Sequence, residues 1–134
     1  MKDYFGFALT RDHSSVRFAT ASVCSSTCSW SYACDSGLTA GSGHAVVHHL
    51  GKMWIIGGGN GSSVYSKVYS SSDGKTWTDS GASGDWRARN NHAATAFDGK
   101  LWIMGGGSNG ASLLNDVLIS SDGKTWKQVS SAAS

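Results

Sequence analysis

Residues 92–107 read His-Ala-Ala-Thr-Ala-Phe-Asp-Gly-Lys-Leu-Trp-Ile-Met-Gly-Gly-Gly, and residues 44–59 read His-Ala-Val-Val-His-His-Leu-Gly-Lys-Met-Trp-Ile-Ile-Gly-Gly-Gly. These are one pattern repeated at an offset of 48 residues. One extra loop residue moves the offset to 49, where Val68 to Trp77 matches Val117 to Trp126. A fixed period of this length marks a repeat architecture. The second unit divides into four strand-length runs, His92–Phe97, Lys100–Gly106, Leu113–Ser121 and Thr125–Val129, rich in β-branched and aromatic residues. Asp98-Gly99 joins the first two. Asp-Gly predicts a two-residue hairpin turn, because both central positions need positive φ. Asp122-Gly123 is expected to do the same between the third and fourth runs. Each unit is thus predicted to be a four-stranded antiparallel meander. A lone sheet of this kind cannot bury both faces, so neighbouring units must stack on it.

Composition agrees with an all-β fold. The 134 residues include 18 Gly, 24 Ser and six Trp, with no Pro and no Glu. Charged residues are only 15%, and the main helix formers are scarce. Fourteen aromatic residues supply enough apolar area to argue against charge-driven disorder. A net charge of +2 is too small to imply a nucleic-acid partner. No run approaches the ~20 apolar residues of a membrane span, and Met1–Thr10 makes a poor secretory signal. The compartment is left open.

The pattern His…Asp-Gly-Lys-Leu-Trp-Ile-Met-Gly-Gly…Asn-Asp-Val…Trp resembles the kelch repeat, in which a double glycine ends the second strand and a tryptophan follows after a longer spacer. Trp86-Arg87-Ala88-Arg89-Asn90-Asn91-His92 is similar to the kelch lead-in to the first strand. The resemblance covers residues 44–134 and implies a β-propeller of the galactose-oxidase type. A weaker likeness exists: Ser71-Ser72-Asp73-Gly74-Lys75-Thr76-Trp77 is similar to the Asp-box turn of sialidase-type propellers, without the usual residue between Asp and Gly. That box is a structural turn and implies no catalysis.

Propellers have ~4–8 blades, and this repeat supplies two, 44–91 and 92–134. Residues 1–43 are nearly a blade long but lack the double glycine, the Asp-Gly-Lys turn and the lead-in. They are expected to form a degenerate blade or an atypical segment, with Tyr4–Leu9 and Val16–Val23 as strand candidates. Three arrangements satisfy the arithmetic: a piece of a larger propeller, a ring completed by self-association, or an open two-blade body capped by residues 1–43.

Cys24, Cys28 and Cys34 with His44, His48 or His49 are the sharpest metal-like set, but Cys-x3-Cys-x5-Cys matches no standard zinc spacing. No metal or other cofactor is expected. Glycosidic cleavage commonly uses two carboxylates facing one sugar, whereas Asp73, Asp98 and Asp122 sit in Asp-Gly turns, where Asp has a structural task. Asp116 has Lys67 as its counterpart, so it is no repeated site. No strand–turn–helix nucleophile elbow occurs. No catalytic residue is therefore assigned. The triple glycines lack the Lys-Ser/Thr of a phosphate loop and read as close-packing positions. Trp54, Trp77, Trp102 and Trp126 hold repeated positions and are expected in the core between units. Trp86 has no counterpart.

In stacked meanders the two Asp-Gly turns of each unit share one end, and the long loops share the other. Recognition usually resides on such loops. The candidate binding residues are Asn60, Tyr65, Trp86, Arg87, Arg89, Asn90, Asn91 and Asn109, with Ser62 and Ser108 beside them. Planar donors, stacking surfaces and amides suit a peptide or glycan; the competing reading has Arg87 and Arg89 simply anchoring neighbouring units. The expected function is a non-catalytic module binding a protein or glycan. The alternatives are a portion of a carbohydrate-active propeller enzyme, or a truncated chain with no function of its own.

Overall fold

A computed structural model describes residues 38, 41–108 and 112–129 with their side chains, and residues 4–7, 17–21, 30–35 and 130 as backbone. The described chain is all β, with no helix. The first repeat unit forms a four-stranded antiparallel sheet in the order β4 (Ala45–His49), β5 (Lys52–Ile56), β6 (Val68–Ser71), β7 (Thr78–Asp79). The second forms β9 (Ala93–Phe97), β10 (Lys100–Gly107), β11 (Leu113–Ser120) and β12 (Thr125–Ser130), also antiparallel neighbours. N-terminal to both, β1 (Tyr4–Phe7), β2 (Arg17–Ala21) and β3 (Trp30–Asp35) form a three-stranded antiparallel sheet. β3 lies in the Ser- and Cys-rich run not read as a strand, although Trp30, Tyr32 and Cys34 alternate there with small residues.

Three local features depart from the expected meander. The second sheet has a fifth strand. Leaving β7, the chain crosses to the outer edge of that sheet and adds β8 (Ser83–Gly84) parallel to β12. The N–H groups of Ser83 and Asp85 donate to the carbonyls of Lys124 and Trp126, at 2.8 and 2.9 Å, so the connecting loop satisfies an edge that would otherwise be open. The outer strand of the first sheet, β7, is only two residues long. The third departure is at Asp122-Gly123, which is not a two-residue turn. Gly123 alone has positive φ (69°), and the Asp122 carboxylate holds a wider turn by accepting from the Lys124 and Thr125 N–H groups, both at 2.8 Å. Asp73 does the same for Lys75 and Thr76. By contrast, Asp98-Gly99 adopts φ of 49° and 68°, as expected of the tight hairpin, and Leu50-Gly51 matches it at 50° and 70°.

The two sheets stack face to face. Val47, Trp54, Ile56 and Val68 of the first sheet meet Leu101, Ile103, Leu118 and Trp126 of the second in one buried cluster. Burying each such side chain stabilises the fold by about 1.5–3 kcal/mol. The Trp54 ring lies over the Cα of Gly123, where any Cβ would overlap it. Only two of the four repeated tryptophans reach this core. Trp77 packs in a separate cluster around Ile55 with Leu38, Val46 and Tyr69. Trp102 is only partly covered, because it lies on the face of the second sheet that points away from the first.

Candidate functional site

The long loops do gather at one end. The segment 86–91, between β8 and β9, is stitched to both sheets by its backbone. The Gly58 N–H donates to the Arg89 carbonyl (2.8 Å) and the Asn91 N–H to the Gly43 carbonyl (2.7 Å), which ties it to the first unit. Asn90 and Gly107 exchange reciprocal hydrogen bonds at 2.9 and 2.8 Å, which ties it to the second. The glycines at the ends of β5 and β10 make this approach possible. A Cβ on Gly57 would overlap the Arg89 carbonyl, and one on Gly106 would stand 2.6 Å from the Asn90 carbonyl. The triple glycines are therefore close-approach positions, as their duplication suggested.

Arg89 is fully buried. Its guanidinium donates from Nη1 to Asp116 Oδ1 (2.7 Å) and from Nη2 to Asp116 Oδ2 (2.9 Å); Nη1 also donates to the Gly105 carbonyl (2.9 Å). The bidentate geometry gives both direction and strength. These bonds hold the Asp116 carboxyl below its ordinary range. The Arg89 guanidinium stands 5.4 Å from the centre of the Trp86 ring. Trp86 in turn leans on Trp126, with centroids 5.5 Å apart, and donates its indole N–H to the Ser66 carbonyl at 2.8 Å. Arg89 and Trp86 thus hold the loop to the sheets. Asp116 is the partner the sequence reading set aside.

The other candidates lie on the solvent side. Arg87 and Asn91 are exposed, and Asn91 holds a left-handed φ of 51°. Asn90 and Tyr65 are half-buried. Asn60 is exposed, and its Oδ1 accepts from the N–H groups of Ser62 and Ser63, which shapes the neighbouring loop. Ser108 is half-buried. Asn109 lies outside the described residues, as do Cys24 and Cys28, and the side chain of Cys34. Among the described residues no three His, Cys or acidic side chains converge on a point that could hold a metal.

Two features were not anticipated. His92 is buried beneath the loop with neither ring nitrogen hydrogen-bonded. Burial first, then the charges of Arg89 and His44, push its pKa down to about 4. Burial also lowers that of His44. Beside His44 is a hollow of about 20 Å³ lined in part by Leu38, Ile55, Gly57, Tyr65, Lys67 and Tyr69. That is room for about one water molecule, far short of the ~300 Å³ of a small-molecule pocket. Tyr65, Lys67 and Tyr69 alternate in sequence, a period-two signal that could have placed them together.

No family model matches the chain, and no curated protein does. A solved structure does share its fold. The structure of YjhT matches with a TM-score of 0.66 at 20% sequence identity, over 87% of this chain and 39% of that one. The chain therefore spans well under half of YjhT, and the likeness is one of fold.

Five of the six described acidic side chains are engaged in structural contacts. Asp73 and Asp122 hold turns. Asp79 pairs with Lys67 at 2.5 Å, Asp116 with Arg89, and Asp85 accepts from the Gln128 N–H at 2.9 Å. Asp98 occupies a positive-φ turn position. What the loop end presents to solvent is one guanidinium and several amides on a backbone fixed from both sides.

Proposed function

We propose that the chain is a kelch-type propeller segment that acts as a non-catalytic binding module. Its ligand is a peptide or a glycan, met by the loops around residues 60–65 and 86–91. One observation carries this reading: the 86–91 segment is pinned to both sheets while Arg87 and Asn91 stay exposed. A rigid backbone presenting polar side chains loses little entropy on binding. The duplicated His…Gly-Gly…Trp pattern and the fold shared with YjhT support the kelch assignment.

The test is to screen the 134-residue chain on glycan and peptide arrays, then to repeat the strongest hit with Arg87→Ala and Asn91→Gly. The glycine substitution keeps the left-handed backbone available. A hit weakened at least tenfold by either change, with the melting temperature unchanged, supports the reading. Arrays without a hit, or hits indifferent to both changes, overturn it. So does turnover of a glycan that disappears when one Asp or His is replaced; that result favours a carbohydrate-active enzyme.

A further inference from the structure

His92 is wedged between the two units. A Cβ on Gly57, at the end of β5, would lie 3.0 Å from the His92 Cε1. A Cβ on Gly106, in β10, would lie 2.8 Å from the His92 Cβ. With the loop above it, the residue is 9% exposed, and neither ring nitrogen has a hydrogen-bond partner. The hollow beside His44 is lined by Gly57 and Gly58 but not by His92. Buried polar groups are nearly always paired; this imidazole is packed dry, directly before β9.

The charged groups that face it are cationic. From its own segment it meets the Arg89 guanidinium, and from the start of β4 the His44 imidazole, and both oppose a further positive charge. β11 brings Asp116, but both of its oxygens are taken by Arg89. The ends of β5 and β10 bring glycines. Tyr65, Lys67 and Tyr69 line the hollow that His44 borders. Among the described residues no carboxylate pairs with His92. A proton here adds a second N–H and a full charge to a space with no partner for either, which is costly.

We propose that His92 is an acid-released latch: its neutral ring seats segment 90–92 between the two units, and protonation swings that segment out into water. The segment has fixed ends. Arg89 is clamped by Asp116 on one side, and Ala93 enters β9 on the other. Between them, release breaks the Asn91–Gly43 bond and the Asn90–Gly107 pair. The buried cluster joining the sheets contains none of residues 90–92 and stays intact. Asn91 also gives up its left-handed φ of 51°. The closed segment holds the imidazole neutral down to about pH 4, whereas a hydrated one takes its proton near 6.5. Acid therefore favours the open form, by a few hundredfold at most. The latch is a property of the scaffold. Its consequence for binding rests on the function proposed above: Asn91 leaves its place, so a ligand met there at neutral pH is released in acid.

The experiment is amide hydrogen exchange by NMR on the 134-residue chain without ligand, at pH 7 and pH 5, with rates referred to those of an unstructured chain. The Asn90, Asn91 and Gly107 amides should lose at least tenfold in protection, while amides at the centre of β10 and β11 keep theirs. His92→Gln and His92→Phe, which cannot take up the proton, should each abolish the loss, and His44→Gln should leave it. The His92 ring of the parent should titrate well below the ordinary value; with a loss confined to the loop, that supports the proposal even where a His92 variant does not fold. A ring that titrates at or above the ordinary value overturns it without any variant. Loop amides that keep their protection, a loss shared equally by the strand centres, a loss that persists in a folded His92 variant, or one that vanishes in His44→Gln also overturn it. Because no ligand is present, failure here leaves the binding reading standing, and the array result leaves this one standing.

Discussion

Arg89 and Asp116 face each other through two parallel hydrogen bonds of 2.7 and 2.9 Å, with the guanidinium wholly out of water. They stand 27 residues apart and join the incoming loop of the second unit to its third strand, β11. Removing one member leaves the other as an unmatched charge, which costs about 3–5 kcal/mol in buried pairs. Arg89→Ala and Asp116→Ala should therefore each lower the urea midpoint by that equivalent. Arg89→Lys should rescue little, because an ammonium cannot reproduce the fork. A loss below about 1 kcal/mol for either alanine variant contradicts the assignment.

Gly123 and Gly51 make a matched pair for the stacking of the sheets. Both have left-handed φ, 69° and 70°, but only Gly123 lies under the Trp54 ring. Gly51→Ala should cost about 1 kcal/mol, the penalty for a side chain in that conformation. Gly123→Ala adds the steric overlap and should cost about 3 kcal/mol. Equal losses in equilibrium unfolding would show that the ring does not sit there.

His92 predicts sensitivity to mild acid. Its folded pKa of about 4 lies below the ordinary 6.5, so the folded protein binds fewer protons than the unfolded chain between those values. The sign is therefore positive: stability is fully present above pH 6.5 and falls as pH drops toward 4, by up to about 3 kcal/mol. Between pH 7 and 5 few carboxylates titrate. His92→Gln should flatten the stability profile over that window, and an unchanged slope rules His92 out as the cause.

The Asp73 and Asp122 turns predict a second, lower acid transition. Hydrogen bonds from the Thr76 and Lys75 backbone pull Asp73 down to about 2, and those from Thr125 and Lys124 lower Asp122. Depressed carboxyl pKa values stabilise the fold above pH ~4, and that contribution fades as the groups protonate below it. Asp122→Ala should cost about 1 kcal/mol at neutral pH. Asp73→Ala should act in the same direction. Both variants should lose less than the parent between pH 4 and 2; an identical loss refutes the role.

What the sequence disclosed, and what it hid, follows from the repeat. β9 to β12 fall within a residue or two of the expected runs, because the apolar alternation and the Asp98-Gly99 hairpin are local signals. The Arg89–Asp116 pair was hidden because it is unique to one unit. Asp116 corresponds to Lys67, and Arg89 to Gly41. Where the arginine is absent the carboxylate is absent too, and Lys67 pairs with Asp79 instead. Reading each position against its repeat partner alone discounted Asp116; reading the two positions jointly would have recovered it. β8 was hidden because Ser83-Gly84 has no strand propensity of its own, and a neighbouring edge imposes its extended form. The loop-end candidates divide for a related reason. Sequence marks Trp86 and Arg89 as large and polar, but only the packing tells that Trp126 and Asp116 claim them.

The two repeat sheets end outwardly in strands of two residues, β7 and β8. Such stubs offer an incoming chain almost no run of unpaired amides to anneal against, which is how natural sheets resist fibril growth. The molecule thus discourages lateral extension along this edge of both sheets.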